Sequence, residues 1–330
     1  MFDLIIIGIG PAGLMASIYA SRYKLNNLLI GEVLAGELSK GAKIENLPGF
    51  ISTSGLEWGE KMKEQVEKLG AKVIYDKVGR IERIKKSNHR DHRRKQKSQN
   101  GFVIITGSGK KYKAQALIIA TGSERRKLNI PGEKDYLGKG VSYCTTCDIP
   151  FFRNKIVTMI GGSDSAVSGA VHAAEFTKKV YIIYRRDQLR AEPVWIEEWR
   201  EIEKKGKGET VYGTNITEIL GDGNKVTGVK LDKTYNGKDK LDLDGVFIEV
   251  GGVPGTSLLK PLGVNLTETG YVQVNDAMET NLPGLYAAGD ITDKSIVLVQ
   301  AITAMAQGAI GAASAYKYLK GEKAPQILGV

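Results

Sequence analysis

The chain's only two cysteines, Cys144 and Cys147, stand three positions apart in the stretch VSYCTTCDIP, with Asp148 directly behind them. A C-x-x-C spacing serves two chemistries: a dithiol that cycles with a disulfide, or half of a zinc site. Zinc would need two further cysteine or histidine ligands. No third cysteine exists, His172 stands alone, and His89 and His92 fall in a strongly basic window that offers no completing ligands. The pair therefore reads as redox-active, and no metal site is expected. Two inert buried thiols would sit poorly among the flanking threonines and aspartate.

Two other stretches are suited to holding a phosphate. DLIIIGIGPAGLMASIYASRYKLNNLLIGE and KIVTMIGGSDSAVSGAVHAAEFTKKVYIIYRR each pass from an apolar run through a glycine turn into a helix-like segment and a second apolar run. This is the βαβ unit that seats a dinucleotide pyrophosphate at a helix N-terminus. Gly8, Gly10 and Gly13 fill the G-x-G-x-x-G pattern; their counterparts in the second copy are Gly161, Ser163 and Ala166. Twenty-four residues beyond the first glycine stands Glu32 in one copy and Arg185 in the other. An acid there accepts from ribose hydroxyls and repels a 2′-phosphate, whereas an arginine pairs with that phosphate. Arg186 and Arg190 reinforce the second site. The copies are thus built for different dinucleotides, one FAD-like or NAD-like, the other NADP-like. One such pattern is a weak signal, but two, each between apolar runs, are a strong one. Ser163 can act in two ways, crowding the pyrophosphate with its Cβ or donating its hydroxyl to a phosphate oxygen.

These segments need a scaffold, and 330 residues suggest about two domains. A hydrophobic content of 42% fits a soluble globular class. No apolar run reaches the ~18–20 residues of a membrane span. MFDLIIIGIG reads as a buried strand running into a turn rather than a signal peptide, so a reducing cytoplasm is the expected setting. The net charge of +10 is uneven: Arg83–Lys97 carries eight Lys or Arg against the single Asp91. That window reads as a solvated loop or hairpin tip, with a docking patch for an acidic partner as the alternative. Nucleic acid is not an expected partner, since no recognition motif accompanies the charge.

Further stretches carry a resemblance. ALIIATGSE (Ala116 to Glu124) ends an apolar strand in Ala-Thr-Gly, TNLPGLYAAGDI (Thr280 to Ile291) is similar to a second FAD motif, and C-T-T-C-D falls between the Ala-Thr-Gly strand and the second βαβ copy. YRRDQLRAE (Tyr184 to Glu192) is similar to an NADPH signature and IENLPGF (Ile44 to Phe50) to an early flavin-side loop. In this order, over essentially the whole chain, they resemble the low-molecular-weight thioredoxin reductases. The resemblance implies an α/β fold of two Rossmann-like dinucleotide-binding domains. An NADPH domain carrying the dithiol (residues 123–248) would be inserted into a discontinuous FAD domain (residues 1–122 and 249–330). Gly251, Gly252 and the Gly122–Ser123 junction would be hinge positions. FAD would be held by Gly8, Gly10, Gly13, Glu32, Leu38, Asn46, Thr121, Gly122, Gly289, Asp290, Gln300 and Ala301. NADPH would be held by Gly161, Ser163, Ser165, Arg185, Arg186 and Arg190. The closing stretch QAITAMAQGAIGAASAYKYL reads as a small-residue helix, mainly core.

The implied activity is that of a thioredoxin-disulfide reductase, passing electrons from NADPH through FAD and the dithiol to a thioredoxin-like protein. Cys147 would face the flavin, Cys144 would attack the partner's disulfide, and Asp148 would act as general acid and base. The other reading of Asp148 is the cap of a turn. The inserted domain would rotate between two states, because nicotinamide and dithiol need the same flavin. A homodimer is implied. Three positions depart from the family pattern: Ser163 replaces glycine, Tyr184 replaces a histidine and is expected to offer a ring to adenine without a charge, and Val299 replaces an arginine. They keep other readings open: the same relay fed by NADH or a reduced ferredoxin-like protein, or a dithiol oxidase using oxygen. A non-enzymatic flavoprotein with the dithiol as a sensor is the reading from another class.

Overall fold

The computed structural model describes residues 1–41, 43–84 and 101–322. The basic window from Lys85 onward, with His89 and His92, and the chain's end from Lys323 lie outside the described residues. The chain opens with β1 (Phe2–Ile7), α1 (Pro11–Arg22), β2 (Asn27–Gly31), a 3-10 turn at Gly36–Lys40, α2 (Gly55–Lys68) and β3 (Lys72–Tyr75). Then come β4 (Val78–Ile84), β5 (Gly101–Thr106), β6 (Lys111–Ile119) and β7 (Ser123–Arg125). The middle holds β8 (Val141–Ser142), α3 (Thr145–Asp148), β9 (Ile156–Ile160), α4 (Asp164–Phe176), β10 (Lys179–Tyr184) and α5 (Pro193–Lys204). It continues through β11 (Gly208–Tyr212), β12 (Ile216–Gly221), β13 (Val226–Tyr235), β14 (Lys238–Asp242) and β15 (Gly245–Ile248). The chain ends with β16 (Gly252–Pro254), β17 (Leu285–Ala287) and α6 (Ala301–Lys320). Two compact units result, Met1–Glu124 with Pro254–Val330, and Arg125–Val253 inserted into it.

In the outer unit β3, β2, β1 and β6 run parallel in that order, and β5 and β4 continue antiparallel. β6 has one edge filled by β1, from Phe2↔Ala114 to Ile7↔Ile119. Its other edge is shared: β5 pairs with residues 111–114, and β17, from late in the chain, pairs with Leu117–Ile119. β1 can be apolar without alternation because both of its faces are covered. Leu4 and Ile6 pack under α1 and α6, while Ile5 and Ile7 pack against Val272, Leu285 and Ile291 on the opposite face. α1 starts with Pro11 at its first position, where a missing N–H costs nothing. The small-residue helix is core as expected: Ala304, Gly308, Gly311, Ala312 and Ala315 of α6 are buried.

The inserted unit is a parallel sheet in the order β11-β10-β9-β15-β8. One face is closed by α4 and α5, whose fully buried Trp199 packs with Val157, Met159 and Ile182 in one core. The other is closed by the antiparallel sheet β12-β13-β14, whose Ile219, Val229 and Leu231 face Ile160, Ile183 and Val246. β7 and β16 pair as a short ribbon, so the two chain crossings run side by side. No helix among the described residues is long and apolar enough to cross a membrane.

Candidate functional site

Cys144 and Cys147 form a disulfide. The turn that carries them is built by backbone bonds. Cys144 precedes α3, and its Sγ accepts the Cys147 N–H at 3.3 Å. The Cys144 N–H donates to Ser142 Oγ at 2.9 Å, and the Asp148 N–H donates to the Cys144 carbonyl at 3.2 Å. Cys147 is exposed, whereas Cys144 and Asp148 are half-buried. The Asp148 side chain does not cap the 3-10 turn Ile149–Phe152 that follows, which leaves its carboxylate free of that structural role. Just ahead of the thiols, the Tyr143 hydroxyl donates to buried Glu133, which also accepts from the N–H groups of Leu128 (2.9 Å) and Asn129 (2.6 Å). Burial, then the bond to Glu133 and its charge, raises the Tyr143 phenol above its ordinary value. Between the cysteines, Thr145 Oγ1 donates to Glu249 Oε1 at 3.3 Å. Among the described residues no cluster of His, Cys, Asp or Glu is arranged to hold a metal.

The first glycine turn joins β1 to α1. Gly8 adopts φ +115°, and a Cβ there would stand 2.1 Å from the Ala120 carbonyl oxygen, so only glycine fits. This close approach brings Thr121, just past β6, beside Gly8, and Gly122 follows it at φ +62°. A Cβ on Gly10 would meet nothing within 4 Å, so open space lies at the N-terminus of α1. No side chain caps that terminus, and its first turn holds no acid. An uncapped, positively polarised helix end with room beside it fits a pyrophosphate. A Cβ on Gly13 would overlap the Gly8 carbonyl at 1.9 Å, which locks helix and turn together. Glu32 stands exposed just past β2, 3.7 Å from Lys77 Nζ.

The other residues assigned to FAD gather in the same unit. Leu38 lies half-buried in the Gly36–Lys40 turn. Asn46 Nδ2 donates to Gln300 Oε1 at 3.2 Å, joining two residues from opposite ends of the sequence, and Ala301 begins α6 beside them. The Gly289 N–H and the Thr292 hydroxyl both donate to Gln307 Oε1, at 2.8 and 2.9 Å. Burial, with the Glu37 charge second, raises the Asp290 carboxyl above its ordinary 3.8. Sequence reasoning missed Gln307 and Glu37. Gln307 had a signal: it is a lone polar residue on the small-residue face, three positions after Ala304 and four before Gly311.

The second turn joins β9 to α4. Gly161 adopts φ +142°, and a Cβ there would stand 2.3 Å from the Glu249 carbonyl oxygen. Ser163 precedes the helix in extended conformation, and its hydroxyl makes no capping bond. The Asp164 Oδ1 accepts the Glu192 N–H at 2.7 Å, so the acid in the first turn is tied to the following loop. Ser165 is exposed at the second helical position, and Arg185 and Arg186 are exposed just past β10. The two exposed arginines fit the 2′-phosphate of NADPH better than an unphosphorylated ribose. One expectation is corrected here. The Tyr184 ring is not available to adenine: it is 6% exposed and fills the slot beside Gly162, where a Cβ would meet ring carbons at 2.5 Å. Arg190, exposed in the loop after β10, donates through Nε to the Tyr184 hydroxyl at 3.0 Å and through its backbone N–H to the Gly162 carbonyl at 2.7 Å.

The comparisons agree with this geometry. The thioredoxin reductase of Listeria innocua serovar 6a is 39% identical over 322 residues, covering 97% of this chain and 94% of that protein. The thioredoxin reductase of Bacillus subtilis (strain 168) is 37% identical over 322 residues, covering 97% and 95%. The crystal structure of Lactococcus lactis thioredoxin reductase superposes with a TM-score of 0.86 at 36% identity, covering 98% of this chain and all of that one. That of T. acidophilum thioredoxin reductase gives 0.84 at 36% identity, covering 96% and 98%. The family model for pyridine nucleotide-disulphide oxidoreductases matches residues 2–308. With two dinucleotide cradles and a C-x-x-C disulfide in one α/β chain, the protein belongs to the pyridine nucleotide-disulphide oxidoreductase family.

Proposed function

We propose that the chain is an NADPH-dependent thioredoxin-disulfide reductase, with FAD held by the outer unit and NADPH by the inserted one. One observation carries this reading. An accessible disulfide shares a unit with the cradle that ends in Arg185 and Arg186, while the other unit's cradle ends in Glu32. FAD, when bound, supplies the two-electron relay between NADPH and the disulfide. The chain's residues do the rest. Glu32 accepts from ribose hydroxyls, the α1 N-terminus takes the pyrophosphate, and Asp290 with Gln300 orients the flavin end. Arg185 and Arg186 select the 2′-phosphate.

Two electrons and two protons convert the Cys144–Cys147 disulfide into two thiols. The Cys144 thiolate attacks one sulfur of the partner's disulfide, and the partner's other sulfur leaves as a thiolate. Cys147 then attacks Cys144, re-forming the internal disulfide and releasing the partner's second thiol. Asp148, half-buried directly after Cys147, is the side chain placed to pass a proton to the departing thiolate. The names of the relatives support a thioredoxin-like partner, and the resemblance supports a homodimer in the cytoplasm with the inserted unit rotating between two states.

The test is an anaerobic titration of the FAD-loaded protein with NADPH and then NADH, followed by flavin absorbance. Stoichiometric bleaching by NADPH, with NADH much slower, is the expected result. No bleaching by either nucleotide, while dithionite still reduces the flavin, would overturn the NADPH assignment and direct attention to a protein electron donor.

A further inference from the structure

Glu249 is 4% exposed, immediately after β15, and takes no part in the steps above. It is held on two sides within the inserted unit. The Arg125 guanidinium pairs with Oε2, and the Thr145 hydroxyl donates to Oε1 at 3.3 Å. Arg125 and Glu249 belong to the two segments by which the chain enters and leaves this unit. Thr145 lies between Cys144 and Cys147 and is itself buried. Its hydroxyl also lies 3.7 Å from Met159 Sδ, and a Cβ on Gly169 of α4 would come within 3.2 Å of Oγ1. The side chain is thus enclosed by β9, α4 and β15, with the carboxylate as its strong acceptor.

The placement matters when the S–S bond opens. In the oxidised form the covalent bond joins Cys144 to Cys147 across a turn that backbone bonds also shape. After reduction, the two sulfurs stay apposed only as far as the α3 turn keeps its shape. Ser142 and the Cys144 carbonyl hold the turn's ends, and Thr145 is the one side chain inside it that is anchored to a buried charge. Buried hydrogen bonds to ionised groups are stronger than neutral ones, and the Arg125 charge makes the buried carboxylate tolerable. The effective concentration of one thiol at the other sets how readily the disulfide re-forms.

We infer that Arg125, Glu249 and Thr145 form a positioning network that keeps the dithiol turn closed after reduction and so sets the dithiol–disulfide equilibrium of this chain. The step it governs is balanced as Cys144–Cys147 disulfide plus two glutathione thiols giving two enzyme thiols plus glutathione disulfide. The inference rests on the proposed function only in treating the pair as redox-active, and its thiol equilibrium is read without any nucleotide.

The FAD-loaded full chain and its variants are equilibrated anaerobically in glutathione buffers of defined ratio, quenched in acid, alkylated and weighed to count free thiols. Thr145→Val keeps the volume and removes the donor. It is expected to move the equilibrium about fivefold toward the dithiol, a rise of about 20 mV for a two-electron couple. Thr145→Ser keeps the hydroxyl and should stay within about twofold of wild type. Thr145→Ala, which introduces no new bulk, should shift at least as far as the valine variant and stands in for it should that one fail to fold. Reduction of ferricyanide by NADPH bypasses the thiols, and its rate per flavin should be unchanged in all three. Valine and alanine variants within twofold of wild type would overturn the network, as would a serine variant that shifts as far as valine. Failure of wild-type protein to accept electrons from NADPH would sink the functional reading, while the glutathione equilibria would still decide the network.

Discussion

At the scale of single residues, the division of labour between the two sulfurs is open to direct capture. Cys147→Ser leaves Cys144 to attack a partner without a resolving thiol, so a stable mixed disulfide with thioredoxin should accumulate on non-reducing gels. Cys144→Ser should not trap it. The reverse pattern would exchange the two roles, and the greater exposure of Cys147 makes the comparison worth running both ways. The exposed pair Arg185 and Arg186 makes a second prediction. Replacing both by alanine should raise the KM for NADPH by about 10- to 100-fold, the loss of one to two charge-assisted contacts, with NADH kinetics unaltered. An equal loss for both nucleotides would mean that the arginines do not read the 2′-phosphate. What the sequence showed at this scale was chemistry that needs neighbours in sequence: C-x-x-C, and the glycine pattern at Gly8–Gly13. It did not show Glu249 pairing with Arg125, because that contact joins positions 124 residues apart. Nor did it show the fate of Tyr184. A ring after an apolar strand reads as available for stacking, and only the fold reveals that Gly162 leaves a slot beside it.

At the scale of elements, the contact between α1 and α6 is set by small residues. A Cβ at Gly308 would lie 2.1 Å from the Ala12 carbonyl, so Gly308→Ala must push the helices apart. Overpacking of this kind costs roughly 1–3 kcal/mol. Thermal unfolding should register it as a lower Tm, and an unchanged Tm would show that the helices separate at no cost. The strand-to-helix turn at Gly289–Asp290 carries a pH signature. Burial and Glu37 raise the folded-state value of Asp290 above 3.8, so between the unfolded and folded values the native state binds a proton that the unfolded chain releases. Stability is therefore lost as pH rises through that window, and the cost is fully present above it. In FAD-free protein, Asp290→Asn should raise the Tm at neutral pH, at roughly 1–2 °C per kcal/mol for a chain of 330 residues. The gain should vanish as pH falls toward 3.8. A variant less stable than wild type at neutral pH would contradict this. The two βαβ units and the small-residue helix were legible because their periodicities are local. The β12-β13-β14 sheet was not, since its burial follows no regular alternation, β14 buries no residue, and its strands carry no chemistry to mark them.

At the scale of the whole molecule, insertion of one unit into another has a consequence for how the chain is made. β17 fills the second edge of β6, and α6 covers α1, yet both come from the far end of the sequence. During synthesis the inserted unit leaves the ribosome whole before the outer sheet receives its last strand. The dithiol turn, with Ser142 and Glu249 already present, is free to close while β6 still has an open edge beside Leu117–Ile119. Unpaired edges are where nascent chains mispair and aggregate. The burden on chaperones therefore falls on the outer unit, and the half that carries the thiols is the half that matures first.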